Sequence, residues 1–293
     1  MAAPSGCGVR LTRGCGTRSR AREPRSRRLL PIALAAAGGA AGVTLAWGLF
    51  ESQWLELVEV EVPLEGLPPE LDGFTILHLS DFHLGKLSLN DRTLERAVAW
   101  TEGQEADVVA LTGDLLSRRR GEDRLRAVLG RLRARHGTFA VLGNHDIAAV
   151  ENVLGPVLLA DSSATFAVDG RRVQVVGCDP QGWKSRRPER LADPRADLRI
   201  LLAHFPDVAE RLAPGIFQLV LAGHLHGGQI CLPTPRGKVR LAHVRARYWE
   251  GLHATEAGML YVSRGLGTTF VPFRFLARPE ATRLTLRGLG KPM

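Results

Sequence analysis

Gly223-His224-Leu225-His226-Gly227-Gly228-Gln229 follows the apolar run Phe217-Gln218-Leu219-Val220-Leu221-Ala222. Such a run reads as a buried strand. If the backbone stays extended beyond it, the two histidines at i and i+2 project to one side, about 7 Å apart. That is a geometry for gripping a metal. Gly223, Gly227 and Gly228 remove Cβ bulk and permit positive φ, so the chain can turn sharply and come close to a ligand. Alone, the stretch is also compatible with a glycine-rich turn carrying two chance histidines, because the signal is short.

The 293 residues suffice for one large α/β domain with a full core or for two small domains. Apolar residues make up 45% and charged residues 24%, close to the globular average. The net charge of +9 invites a nucleic-acid reading, but it is concentrated. Arginines 10, 13, 18, 20, 22, 25, 27 and 28 face only Glu23 in residues 1–28, which leaves +2 for everything after that tail. A mildly charged body argues against a nucleic-acid groove, and no nucleic-acid partner is expected. Four cysteines, at 7, 15, 178 and 231, show no zinc-finger spacing. Cys178 and Cys231 follow apolar runs and read as buried free thiols, a disulfide being the alternative for an exported domain.

Residues 29–50 are uncharged and rich in Ala, Gly and Leu, long enough to cross a bilayer as a helix. Arginines precede this run and Glu51, Glu56, Glu59, Glu61 and Glu65 follow it, so the positive-inside rule keeps the tail in the cytoplasm and the body outside. Ser26-Arg27-Arg28-Leu29-Leu30 also resembles a twin-arginine export signal. Ala35-x-Ala37 falls too early for cleavage, which favours an uncleaved anchor. Trp47 and Trp54 suit a bilayer interface. The expected division is a basic tail 1–28, a transmembrane helix or twin-arginine-type signal 29–50, a linker with an edge strand 51–72, and a catalytic domain 73–293.

Residues 55–62 alternate Val and Glu as an edge strand, which Pro63, Pro68 and Pro69 should break. Short apolar runs at 75–79, 108–111, 138–142, 173–176, 200–203 and 219–222 then alternate with helical stretches or polar loops. Leu125, Val128, Leu129 and Leu132 mark an amphipathic helix over 124–135, and Asn90 caps another that runs through Trp100. Strands at 259–263 and 283–286 close the chain, and 181–194 is the one long irregular stretch. Strand and helix in alternation imply an α/β sheet.

Polar clusters stand at the ends of those strands: Asp81 and His83 after the first, Asp114 after the second, Asn144-His145-Asp146 after the third, His204 after the fifth, His224 and His226 after the sixth. Ligands of open α/β sheets bind at the carboxyl ends of strands, so the clusters converge on one edge. Asp, His and Asn without Cys suit Mn, Fe, Zn or similar divalent ions. There are more donors than one ion needs, and a two-metal site is the economical reading.

The ordered motifs Ser80-Asp81-Phe82-His83, Thr112-Gly113-Asp114-Leu115, Gly143-Asn144-His145-Asp146, Ala203-His204-Phe205-Pro206 and Gly223-His224-Leu225-His226-Gly227-Gly228 resemble the calcineurin-like metallophosphoesterase superfamily, in particular its small bacterial branch with an N-terminal membrane or export segment. The resemblance spans about residues 57–287, including the late segments 261–267 and Pro272-Phe273-Arg274; Leu225 replaces a frequent Thr, and Cys231 is unexpected. It implies a sandwich of two mixed β-sheets flanked by helices, the four-layer αββα arrangement. It also implies hydrolysis of a phosphoester substrate with two divalent metal ions. Asp81, His83 and His226 are assigned to one metal, Asn144, His204 and His224 to the other, with Asp114 bridging. A bridging carboxylate sets two cations roughly 3.5 to 4 Å apart, and a hydroxide shared between them attacks phosphorus in line. His145 stays unligated and donates a proton to the leaving group, with Asp146 beside it as an orienter.

Two other functions remain open: hydrolysis of a lipid-linked pyrophosphate, as by a UDP-2,3-diacylglucosamine hydrolase, and a catalytically silent metal-binding scaffold. An unligated His145 argues against the scaffold. The expected location is the cytoplasmic membrane with the catalytic domain facing outward, or export by a twin-arginine-type signal; a cytoplasmic-facing domain is less favoured. His78 reads as a hydrogen-bonded core histidine, and His136, His243 and His253 carry no motif. Arg264 is a candidate phosphate contact, though an ordinary surface or core-lining arginine fits better. Lys184, Arg186 and Arg187 read as a solvated loop.

Overall fold

The computed structural model describes residues 25–86, 91–184, 187–235 and 237–289. The basic tail up to Arg22, Cys7 and Cys15, the Asn90 cap and Arg186 lie outside them. Helix α1 (Arg25–Glu51) contains Leu34–Glu51, which is long and apolar enough to cross a membrane by length and composition. The chain divides into two compact units, Met1–Val43 and Thr44–Met293, so the last turns of α1 belong to the larger one. There the Gly48 carbonyl accepts the Arg274 amide at 3.1 Å, and Glu51 Oε1 accepts the Ala277 amide at 2.8 Å.

Within the larger unit the strands are β1 (Glu56–Glu65), β2 (Thr75–Leu79), β3 (Val108–Thr112), β4 (Thr138–Val141), β5 (Ser163–Val168), β6 (Arg171–Cys178), β7 (Leu198–Ala203), β8 (Leu219–Ala222), β9 (Cys231–Thr234), β10 (Gly237–Arg240), β11 (Gly251–Thr255), β12 (Gly258–Val262) and β13 (Glu280–Leu289). The remaining helices are α2 (Asp91–Glu102), α3 (Glu122–Leu129), α4 (Ala149–Leu154) and α5 (Arg187–Leu191). One mixed sheet has the order β1-β13-β2-β3-β4 and the other β11-β12-β8-β7-β6-β5; β9 and β10 form a separate hairpin.

Every residue of β2 and β3 is buried, because the sheet is covered on both sides and successive side chains serve different layers. Ile76, Val108 and Ala110 pack inward against Val175, Ile200, Leu202 and Leu221 of the second sheet. Leu77, Leu79, Val109 and Leu111 pack outward under Leu94, Ala97 and Val98 of α2 and Leu125 and Val128 of α3. Truncating such a side chain to Ala costs about 2–5 kcal/mol. The outer face of the second sheet packs Leu201, Val220 and Leu260 under Val208, Ala209 and Leu212, so a 3₁₀ turn and loops replace long helices there. This is the α/β sandwich of two mixed sheets that the sequence implies.

His78 shares the inward face with Ile76: its Nε2 lies 2.8 Å from Thr112 Oγ1 and its ring packs edge-on to Tyr261. Burial pushes its imidazolium down to about 3, so it is a neutral core histidine, as read. Cys178 and Cys231 are buried free thiols. Three expectations fail. β1 continues through Pro63 to Glu65, because it is an edge strand and needs no amide donor on its open side. The helix read over 124–135 ends at Leu129, where Gly130, a poor helix former, turns the chain. The irregular stretch 181–194 contains α5.

Candidate metal centre

The carboxyl ends of β2, β3, β4, β7 and β8 meet on one rim, and the motif residues occupy the turns just beyond them. His224 and His226 are not on extended backbone. β8 stops at Ala222, and His226–Gly228 form a 3₁₀ turn, so the two side chains diverge. Asp81, His83, Asp114, His224 and His226 all have left-handed backbone, with φ of +56°, +50°, +54°, +76° and +49°. For a residue with a side chain this costs of order 1–3 kcal/mol each. The conformation turns each side chain sideways onto the rim instead of along its strand. Glycine is needed where two turns touch: a Cβ on Gly143 would overlap Asp114, and one on Gly223 would overlap Ser80 and Asp81.

Asp81, His83 and His226 converge as one buried donor group, with His83 Nε2 3.2 Å from His226 Nε2 and Asp81 Oδ1 3.4 Å from His226 Nε2. Across the rim, His204 Nε2 lies 3.0 Å from Asn144 Oδ1 and 3.2 Å from His224 Nδ1. Asp114 Oδ2 stands between the groups, 3.5 Å from His83 Nε2 and 3.4 Å from His204 Nε2. All seven metal candidates are thus brought together. The Thr112 carbonyl 2.8 Å from His204 Nδ1 and the Gly267 carbonyl 3.3 Å from His226 Nδ1 accept those ring protons, which leaves the Nε2 lone pairs facing the rim. Ser117 Oγ stands 3.0 Å from His83 Nδ1. This donor set, with outward protons held by oxygens, fits divalent cations.

The charges fit as well. Burial pushes Asp81 up to about 6 and holds His83 and His224 down to about 3, so both imidazoles are neutral and have a lone pair to offer a cation. Burial alone would lower His204 too, but its hydrogen bond and charge pairing with Asp114 carry it up to about 9.

His145 is half-buried; its amide donates to Asp114 Oδ1 at 2.7 Å and its ring stands 5.5 Å from that of His83. Asp146 does not orient it. Its carboxylate accepts the amides of Leu116 at 2.7 Å and Gly143 at 2.8 Å, so it shapes the turn that presents Asn144 and His145. Burial pushes Asp146 up to about 7. Arg264 is engaged by Glu280 and Glu56, as a core-lining arginine would be. His136 stacks on Phe166, His253 contacts the Glu250 carbonyl, and Lys184 lies over Trp183.

Several neighbours carry no sequence signal. Lys86, Arg118 and Arg120 line a recess together with His145. The His243 ring stands 5.4 Å from that of His224. Arg274 is fully buried and donates to the carbonyls of Arg264, Gly265 and Ala277 at 2.9, 3.0 and 2.9 Å, with Nη2 3.3 Å from His226 Nδ1. Its position in Pro272-Phe273-Arg274 was the one available hint.

A family profile described as calcineurin-like phosphoesterase matches residues 74–228. The chain is 31% identical to the uncharacterized metallophosphoesterase YkuE of Bacillus subtilis (strain 168), over 87% of this chain and 94% of that one. It is 29% identical to phosphodiesterase YaeI of Escherichia coli (strain K12), over 80% and 90%. It is 30% identical to a transmembrane protein with metallophosphoesterase domain from Danio rerio, over 79% of this chain and 57% of that one.

Proposed function

This chain belongs to the calcineurin-like phosphoesterase family and is a phosphoester hydrolase; from that premise we propose a binuclear centre in which Asp81, His83 and His226 hold one divalent ion, Asn144, His204 and His224 the other, and Asp114 both. The observation that carries this reading is the place of Asp114 Oδ2, within 3.5 Å of an imidazole nitrogen from each donor group. Two such cations supply a deprotonated water near neutral pH and positive charge for the phosphoryl oxygens.

The chain's own residues do the rest. Asp114 Oδ1 holds the His145 amide, which fixes the imidazole at the edge of the rim beside Lys86 and Arg118. There it gives a proton to the departing oxygen. Burial sets the His145 imidazolium below its usual range, which makes the proton easier to give and the charged form rarer. The Lys86 and Arg118 cations attract the anionic substrate. A diester is the favoured substrate, a reading the name of the Escherichia coli relative supports.

Residues 1–28, 29–50, 51–72 and 73–293 are read as basic tail, transmembrane anchor or twin-arginine-type signal, linker with edge strand, and catalytic domain, the edge strand β1 pairing with β13 of that domain, and the domain is placed outside the cytoplasmic membrane. A reporter fused to the C-terminus and active only outside tests that orientation. For the chemistry, Asp114→Ala and His224→Ala are expected to abolish turnover of bis(4-nitrophenyl) phosphate by metal-loaded protein. Activity retained by either variant sinks the mechanism. Bound metal without hydrolysis across a broad phosphoester panel points to a scaffold instead.

A further inference from the structure

Two recesses, one with a cluster of cationic side chains and one without, lie beside the rim and share one wall. The first, of about 650 Å³, is lined by Lys86, Arg118, Arg120 and His145. The second, of about 230 Å³, is lined by Leu225, Ile230, Leu241 and Val271, with His226 and His243 among its walls. Phe270 and Val271 line both. The Phe270 side chain is 94% exposed on left-handed backbone, an unfavourable place for an apolar ring unless a ligand covers it.

This shared wall is built rather than incidental. Gln229 Nε2 donates to the carbonyls of Thr269 and Val271 at 2.8 and 3.1 Å, and its Oε1 accepts the Thr269 amide at 2.9 Å. The residue that closes the two-histidine stretch therefore fastens the loop that presents Phe270. Leu241 of the recess wall is 57% exposed, and Leu232, Val239 and Val244 of the same β9–β10 region are 48%, 53% and 67% exposed, with Lys238, Arg240 and Arg245 interleaved among them. Phe273, of the same loop, packs on Gly48 of α1, within the segment apolar enough to cross a membrane.

We propose that the substrate is an amphiphilic phosphodiester of the membrane-lipid kind, its apolar arm in the Leu225–Ile230–Leu241–Val271 groove and its polar, anionic arm toward Lys86, Arg118 and Arg120. The inference rests on the phosphoesterase reading above and adds the substrate class. His226 of the donor group stands in the groove wall, so an apolar arm in the groove lies next to a phosphate held at the rim. Cations on the other side match a charged headgroup. In the reaction the oxygen of one water forms a bond to phosphorus and the P–O bond to the polar arm breaks. The departing oxygen takes a proton on the His145 side, and the phosphomonoester of the apolar arm remains.

The test uses full-length, metal-supplemented protein and two substrates, methyl 4-nitrophenyl phosphate and octyl 4-nitrophenyl phosphate, both kept monomeric. Each methylene withdrawn from water is worth about fourfold in binding, so even partial burial of the chain raises kcat/KM for the octyl ester at least about tenfold. Leu241→Glu puts a charge into the groove from a position 57% exposed, where folding tolerates it. The octyl-to-methyl ratio then falls to within about twofold of one. Leu241→Ala is expected to give an intermediate ratio. Hydrolysis of neither ester overturns the phosphoesterase reading and this proposal with it. Hydrolysis of both at equal efficiency, or a ratio unchanged in Leu241→Glu, overturns the groove alone.

Discussion

Asp81, His83 and His226 are sealed into the rim, whereas on the other side of Asp114 the Asn144 side chain is exposed and His224 only half-buried. The donors are similar in chemistry, so the difference lies in what surrounds them. In the closed group Asp81 also accepts Ser80 Oγ at 2.6 Å and the His224 amide at 3.1 Å, so the same carboxylate shapes the turn that carries the opposite group. The open group has His204 as its one buried member, with His243 beside it at the surface. The closed side thus doubles as scaffold, and the open side is the one in contact with solvent.

The largest effect expected from this asymmetry belongs to Asp81→Ala. It removes a donor from the closed group and releases the His224 turn, and several kcal/mol of metal-assisted stabilisation correspond to a loss of about 10³-fold or more in turnover. Metal analysis should find both ions depleted. Normal retention of one ion would show that the halves are not coupled through this carboxylate.

Proton competition comes next. In the metal-free chain His204 has its folded pKa raised to about 9 from an unfolded value near 6.5. Its contribution to stability is therefore complete below about pH 6.5 and is lost as pH rises through about 9. Metal needs the neutral ring, so affinity in the open half should rise about tenfold per pH unit between 7 and 9, with proton release on binding. Isothermal titration in buffers of different ionisation enthalpy measures both, and affinity independent of pH across that window breaks the assignment.

Asn144→Ala is a smaller change, because the exposed position admits water as a substitute donor. A 10- to 100-fold loss of affinity confined to one ion is expected, read by metal titration; equal loss of both ions erases the contrast between the halves. The smallest effect is at Ser117, whose hydroxyl only positions the His83 ring. Ser117→Ala should weaken the ion of the closed half by about tenfold, the lower end for such partners, with little change in the other.

The motifs were legible because each sits where an apolar β-branched run stops, and both the run and the polar residues after it are local text. Asp81, His83, Asp114, Asn144, His145, His204, His224 and His226 could all be named before any contact was known. The backbone at those residues could not. Extended geometry is the default continuation of a strand, and only the crowding of several turns on one rim makes left-handed φ at His224 and His226 the better solution. Asp146 shows the same limit, since adjacency to His145 suggested a partner while two backbone amides were closer.

By itself the sequence determined the strand order of appearance, the candidate donor residues, the helix that can cross a membrane and the core role of His78, because apolar periodicity and short motifs are properties of neighbours along the chain. Tertiary structure alone decided that Lys86, Arg118 and Arg120 face His145, that Arg274 is buried against the His226 turn, and that Gln229 fastens Phe270 between two recesses. These groups come from separate loops with no shared spacing. Their meeting depends on how two sheets pack, which is an energy of the whole core and leaves no local mark.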